Sequence, residues 1–129
     1  MKKMIILIVL LLAGYMIYNY LFSTGNSAPS NTELTSQDYA ARQLEAQDML
    51  MLVYQREESY HNRYGSYTYK FDSLDVVPHG TYYKLRVLDV RIGHFEVKAE
   101  GNIDKDPTID VWLITEDGKP QNLVNDTEK

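Results

Sequence analysis

The chain has 129 residues, no cysteine, and 18 acidic against 13 basic side chains, for a formal net charge of −5. That length holds one small domain plus an appendage. The missing cysteine excludes disulfides, zinc thiolates, cysteine nucleophiles and a lipidated cysteine anchor. Lys2 and Lys3 stand at the amino end, so the chain beyond Phe22 carries 11 basic and 18 acidic residues. That balance argues against nucleic acid as a partner. Eleven tyrosines are read first as packing at half-buried positions.

Met4 to Phe22, MIILIVLLLAGYMIYNYLF, is apolar except for Asn19. As a helix this run rises about 28 Å, near the thickness of a bilayer's hydrocarbon core. Lys2 and Lys3 place the amino terminus in the cytoplasm, and Tyr15, Tyr18 and Tyr20 suit the opposite interface. The run predicts a retained single-pass anchor in the inner membrane, with the remainder periplasmic or extracellular. A cleaved signal peptide is the rival reading, with Ser23 to Ala28 offering a mediocre cleavage site. Ser23 to Asn31, STGNSAPSN, is small and polar and cannot bury enough surface to fold alone. The predicted organisation is an anchor over 1–22, a flexible linker over 23–34 and a globular domain over 35–129.

A helix opens with Thr35 as N-cap and Asp38 three residues on, flanked by Leu34 and Tyr39 at the staple positions. It runs without Gly or Pro to Tyr64, and Gly65 supplies the C-cap. Tyr39, Ala46, Leu50, Val53, Tyr60 and Tyr64 share one stripe, widened by Met49 and Tyr54. Leu50, Val53 and Tyr60 are therefore expected in the core. Leu44 and Met51 align with each other roughly 140° away, as ordinary surface residues or as a contact face for a partner helix. Glu57 falls inside the stripe, expected to escape at its edge or to meet His61.

Ser66 to Gly80 reads as an irregular loop, with Leu74 and Val76 touching the core. Three strands follow: Tyr82 to Val90, His94 to Glu100, and Ile109 to Thr115. In the first, Tyr83, Leu85 and Val87 alternate with Lys84, Arg86 and Leu88. In the second, Phe95, Val97 and Ala99 face inward. Arg91 to Gly93 closes the hairpin between them. Glu116 to Lys119 makes a turn, and Leu123 and Val124 add a short return. The predicted fold class is α+β: a long amphipathic helix packed on a three- to four-stranded antiparallel meander.

GNIDKDPTIDVW, Gly101 to Trp112, places Asp104, Asp106 and Asp110 between the second and third strands. An EF-hand loop requires Gly at position six and Glu at twelve. Counted from Asp104 those positions hold Ile109 and Thr115; counted from Asn102 they hold Pro107 and Leu113. Both registers fail. A looser oxygen cage stays open, but Gly, Asn, Asp and Pro are also turn formers. The expectation is that Asp104 and Asp106 shape a turn with no metal required, and that Trp112 packs in the core. His61, His79 and His94 lack metal-ligand spacing, and no Ser-His-Asp order stands out. No catalytic residue, cofactor or metal is expected.

Two stretches carry a family resemblance. AQDMLMLVYQREESYHNRYGSYT, Ala46 to Thr68, is similar to the end of the pilin helix, where Ala-Gln and a tyrosine precede Tyr-Gly-x-Tyr-Thr. FEVKAEGNIDKDPTIDVWLITEDGKPQN, Phe95 to Asn122, resembles a pilin strand followed by Gly-x-Ile-Asp-x-Asp, Asp-x-Trp-x-Ile and an Asp-Gly turn. From about Gln43 onward the chain resembles type IV pilins and the major pseudopilins of type II secretion. The resemblance implies an N-terminal helix packed on an antiparallel sheet, and action by contact with other membrane or apparatus proteins. The family's Gly-Phe-Thr-Leu-x-Glu entry is not recognisable, with Asn19 where Glu would stand, and Ser23 to Asn31 interrupts the helix. Both departures bear on prepilin peptidase processing and filament assembly rather than on the globular fold. The expected function is that of an accessory or divergent subunit of a pilus or secretion apparatus. A small exported ligand-binding protein or enzyme is the alternative.

Overall fold

The computed structural model describes residues 34–127. The expected anchor over Met4 to Phe22 lies outside the described residues. Among the described residues, no helix is long and apolar enough to cross a membrane.

Helix α1 spans Ser36–Tyr64. Its first turn is closed by reciprocal bonds: the Asp38 N–H donates to Thr35 Oγ1, and the Thr35 N–H donates to Asp38 Oδ2 at 2.8 Å. These bonds satisfy two backbone donors that helix geometry leaves without partners. The Thr35 side-chain hydrogen bond, then its backbone bond, holds the Asp38 carboxyl below its ordinary pKa. Gly65 ends the helix with φ +75°, a conformation strained for any side chain, and its N–H donates to the His61 carbonyl at 2.7 Å. A short helix α2, Phe71–Leu74, lies in the stretch expected to be irregular throughout. It helps bury Leu74, and Val76 follows into the core.

The sheet is a four-stranded antiparallel meander in the order β1-β2-β3-β4. The strands are β1 Tyr83–Arg91, β2 His94–Gly101, β3 Asp110–Thr115 and β4 Gln121–Val124. Inward Phe95, Val97 and Ala99 of β2 are fully buried. Opposite them in β1 stand Val90, Val87 and Leu85. A bulge between Val87 and Asp89 makes that possible. Strict alternation would turn Asp89 inward; the extra residue, exposed Leu88, resets the parity so that Val90 faces the core instead. On the outer face Lys98 and Arg86 both pair with Glu100, at 2.6 and 3.6 Å. The hydrogen bond from Lys98 is the main reason the Glu100 pKa is lowered.

One core lies between α1 and the sheet. Ala46, Leu50 and Val53 of the helix meet Tyr83, Phe95, Val97 and Ile114 of the strands. Tyr60 and Trp112, expected in the core, are half-buried against it. Tyr64 departs from the expected stripe: it is 61% exposed and leans on Tyr60, ring centroids 4.5 Å apart. Tyr64 is the last residue of α1, immediately before the Gly65 cap. Glu57 also departs from expectation. It neither escapes at an edge nor pairs with His61, whose ring stacks on Tyr67 at 4.5 Å. Its side chain is fully buried.

Candidate functional site

A dense polar arrangement begins at the first residue of β3. Asp110 pairs with Gly101 and shares the inward face with Trp112 and Ile114. It is completely buried. Its Oδ2 accepts from the Tyr83 hydroxyl and from Trp112 Nε1, each at 2.6 Å. Its Oδ1 accepts from Gln43 Nε2 at 3.1 Å, Asn122 Nδ2 at 3.2 Å and the Asp126 backbone N–H at 3.0 Å. Five donors from α1, β1, β3, β4 and the tail thus converge on one carboxylate. Charge-assisted bonds of this kind are the stronger class. Gly101 permits the approach: a Cβ there would lie 2.3 Å from the Tyr82 carbonyl and 2.9 Å from the Tyr83 ring. Burial, then the bond to Asp110, raises the Tyr83 phenol far above its ordinary pKa, so it remains a donor.

This arrangement separates the three aspartates grouped in the sequence. Asp110 belongs to the core knot, whereas Asp104 and Asp106 stay in the β2–β3 loop. There they shape the turn as expected: Asp104 Oδ1 accepts from the Asp106 N–H at 3.0 Å, and Asp106 Oδ1 from the Thr108 N–H at 2.6 Å. Lys105 between them takes φ +69°, its N–H held by Asn102 Oδ1 at 2.6 Å. The Tyr39 hydroxyl on α1 donates to Asp104 Oδ2 at 3.2 Å, and Arg42 donates to the Ile103 carbonyl.

Asp126, from the tail after β4, takes the place that Asp110 held in the sequence reading. Among the described residues, Asp104, Asp106 and Asp126 form the only group of three or more acidic or histidine side chains with ligand atoms all within 4.8 Å of one another. Sequence reasoning missed Asp126 because a lone aspartate in NDTEK carries no periodic or motif signal. The histidines lie outside this group. His94 binds Glu116 at 2.8 Å, and that hydrogen bond leads in lowering the Glu116 pKa. His79 is exposed and forms an isolated bridge with Lys84.

The candidate partner face divides. Leu44 is 53% exposed, but Met51 is half-buried and packs against the core cluster. Met51 packs against apolar core neighbours, so a continuous exposed Leu44–Met51 ridge does not form.

The described chain can be superposed on the crystal structure of the non-core minor pilin PilV from Neisseria meningitidis with a TM-score of 0.58, covering 71% of this chain and 93% of that one. The fold is pilin-like. Sequence identity between the two is 20%, so the likeness concerns architecture. No protein-family model matches the sequence, and no curated protein matches it significantly. The pilin-like domain thus presents two features on its own residues: a filled polar knot at Asp110 and an acidic cluster beside it.

Proposed function

We propose that this protein is a membrane-anchored, exported pilin-like protein that works by protein–protein contact, as an accessory or divergent subunit of a pilus or secretion apparatus. The observation that carries this reading is the pilin-like architecture, a long capped helix laid across a four-stranded meander. The apolar run Met4 to Phe22 supports an inner-membrane anchor, with the globular part periplasmic or extracellular. The reading is non-enzymatic: Asp110, the most elaborately bonded carboxylate, has its acceptor sites filled by structural donors and is fully buried. Contact is assigned to the exposed side of α1 around Leu44.

Site-specific photocrosslinking in the native cell tests this reading. A photoreactive residue at Leu44 of the full-length protein is expected to give adducts with other pilin-like subunits or inner-membrane assembly proteins. The same residue at Ile92, fully exposed at the β1–β2 hairpin tip, is the control and should give few. Recovery of the protein wholly in the soluble fraction, or equal labelling from both positions, would overturn the proposal.

A further inference from the structure

Arg56 and Arg63 stand two turns apart on one face of α1, about 10.5 Å along its axis. With Tyr60 and Tyr64 of the same helix, and Ser73 and Asp75 of α2 and its cap, they line a groove of about 220 Å³. The chain has five arginines, and the other three are tied to oxygen. Arg42 donates to the Ile103 carbonyl, Arg86 pairs with Glu100, and Arg91 pairs with Asp89. Arg56 and Arg63 enter no ion pair among the described residues, although the chain carries 18 acidic against 13 basic side chains. Arg63 lies 5.7 Å from the ring centroid of neighbouring Tyr64, a contact that leaves its N–H donors without an acceptor among the described residues. Tyr64, exposed at the end of the helix, gives the groove an aromatic wall. Arg and Tyr are enriched at the energetic centres of protein interfaces.

We propose that this groove docks an extended acidic segment of a protein partner, with carboxylates at alternate positions, one to each arginine. The inference rests on the reading of the protein as one that works by protein contact. It adds a second contact, about 18 Å along α1 from Leu44. Charge and size set the occupant. Planar guanidinium forks match carboxylates bidentately. Alternate side chains of an extended segment point to one side about 7 Å apart, a separation that two flexible arginines about 10.5 Å apart can close on. The groove is smaller than pockets that enclose whole small molecules, and takes side-chain ends instead. Asp75 opposes the two positive charges with one negative, so the lining remains net positive.

The test is nuclear magnetic resonance of full-length protein in neutral detergent, isotopically labelled at arginine and titrated with the peptide acetyl-Glu-Ser-Glu-amide. The Nε–H resonances of Arg56 and Arg63 are expected to shift saturably in the millimolar range, and those of Arg86 and Arg91 to stay in place. The neutral Gln-Ser-Gln counterpart should not bind. Arg56→Gln and Arg63→Gln should each weaken binding about fivefold. Asp75→Asn should tighten it about twofold. Asparagine tolerates the φ of +54° at that position, so the backbone is kept. All three variants change exposed side chains, and a native circular dichroism spectrum checks each fold. No saturable shift by about 20 mM peptide overturns the site. So do equal shifts at Arg86 and Arg91, equal binding of the neutral peptide, or an Asp75→Asn variant that binds no more tightly. Inorganic phosphate binding as tightly as the peptide would mark a general anion site and overturn the peptide assignment. Failure here with Leu44 crosslinks intact removes this groove alone; loss of the Leu44 adducts with peptide binding intact removes the subunit reading alone.

Discussion

Asp110 and Glu57 are both completely buried, yet the fold treats them in opposite ways. α1 serves each: Gln43 reaches Asp110, and Glu57 projects from the same helix about 21 Å further along its axis. Asp110 receives five donors. Glu57 receives one, the Thr68 N–H at 3.0 Å on Oε2, while Oε1 has none. Burial, opposed only by that one bond, pushes the Glu57 pKa up to about 7. Burial by itself therefore decides little about a carboxylate. The number of donors turned toward it decides whether it fastens the structure or burdens it.

The largest expected effect is Asp110→Ala. It strands four side-chain donors and one backbone donor in the interior, and should cost about 3–5 kcal/mol in denaturant unfolding followed by Trp112 fluorescence. A cost under about 1 kcal/mol would show that the knot is incidental and collapse the contrast with Glu57.

Next is the pH dependence of Glu57. Its folded pKa lies above the ordinary value of 4.5, so its proton is bound more tightly in the folded state. Stability is fully retained below about pH 4.5 and lost as pH rises through about 7. Over that window the loss is up to about 3 kcal/mol. Glu57→Gln keeps an acceptor for Thr68 and removes the titration. Above pH 7 it should be more stable than the unmodified protein, with the difference vanishing near pH 4. Parallel pH profiles of the two proteins would refute a burdened Glu57.

Tyr83→Phe sharpens the comparison by removing one of five donors. The expected loss is about 1–2 kcal/mol, less than for Asp110→Ala because four donors remain. A loss as large as that of Asp110→Ala would mean that the Tyr83 hydroxyl, rather than the carboxylate, organises the knot. Leu44→Lys is the smallest: at an exposed position it should shift stability by no more than about 0.5 kcal/mol, measured in the same unfolding assay. Met51→Lys, directed at the core, should cost distinctly more.

The local elements were legible because their signals are local. Thr35, Asp38 and Gly65 marked both ends of α1 through backbone donors and φ preferences that depend on a few neighbouring residues. Alternation in Phe95, Val97 and Ala99 marked β2 because the pleat itself has period two. A helix on a three- to four-stranded meander followed from those pieces in order, and the pilin-like fold from the resemblance of Ala46 to Thr68 and Phe95 to Asn122. What the tertiary structure alone decided is which aspartates meet. Asp104, Asp106 and Asp110 are neighbours in the chain, yet β3 begins between them and carries Asp110 into the core, where Tyr83 and Gln43 wait from distant segments. Asp126 replaces it beside the other two through a backbone bond to Asp110 itself. The end of the helix left Tyr64 exposed, core neighbours half-buried Met51, and a bulge turned Val90 inward. Each depends on where one element lies against another, and periodicity along a single element carries no information about that placement.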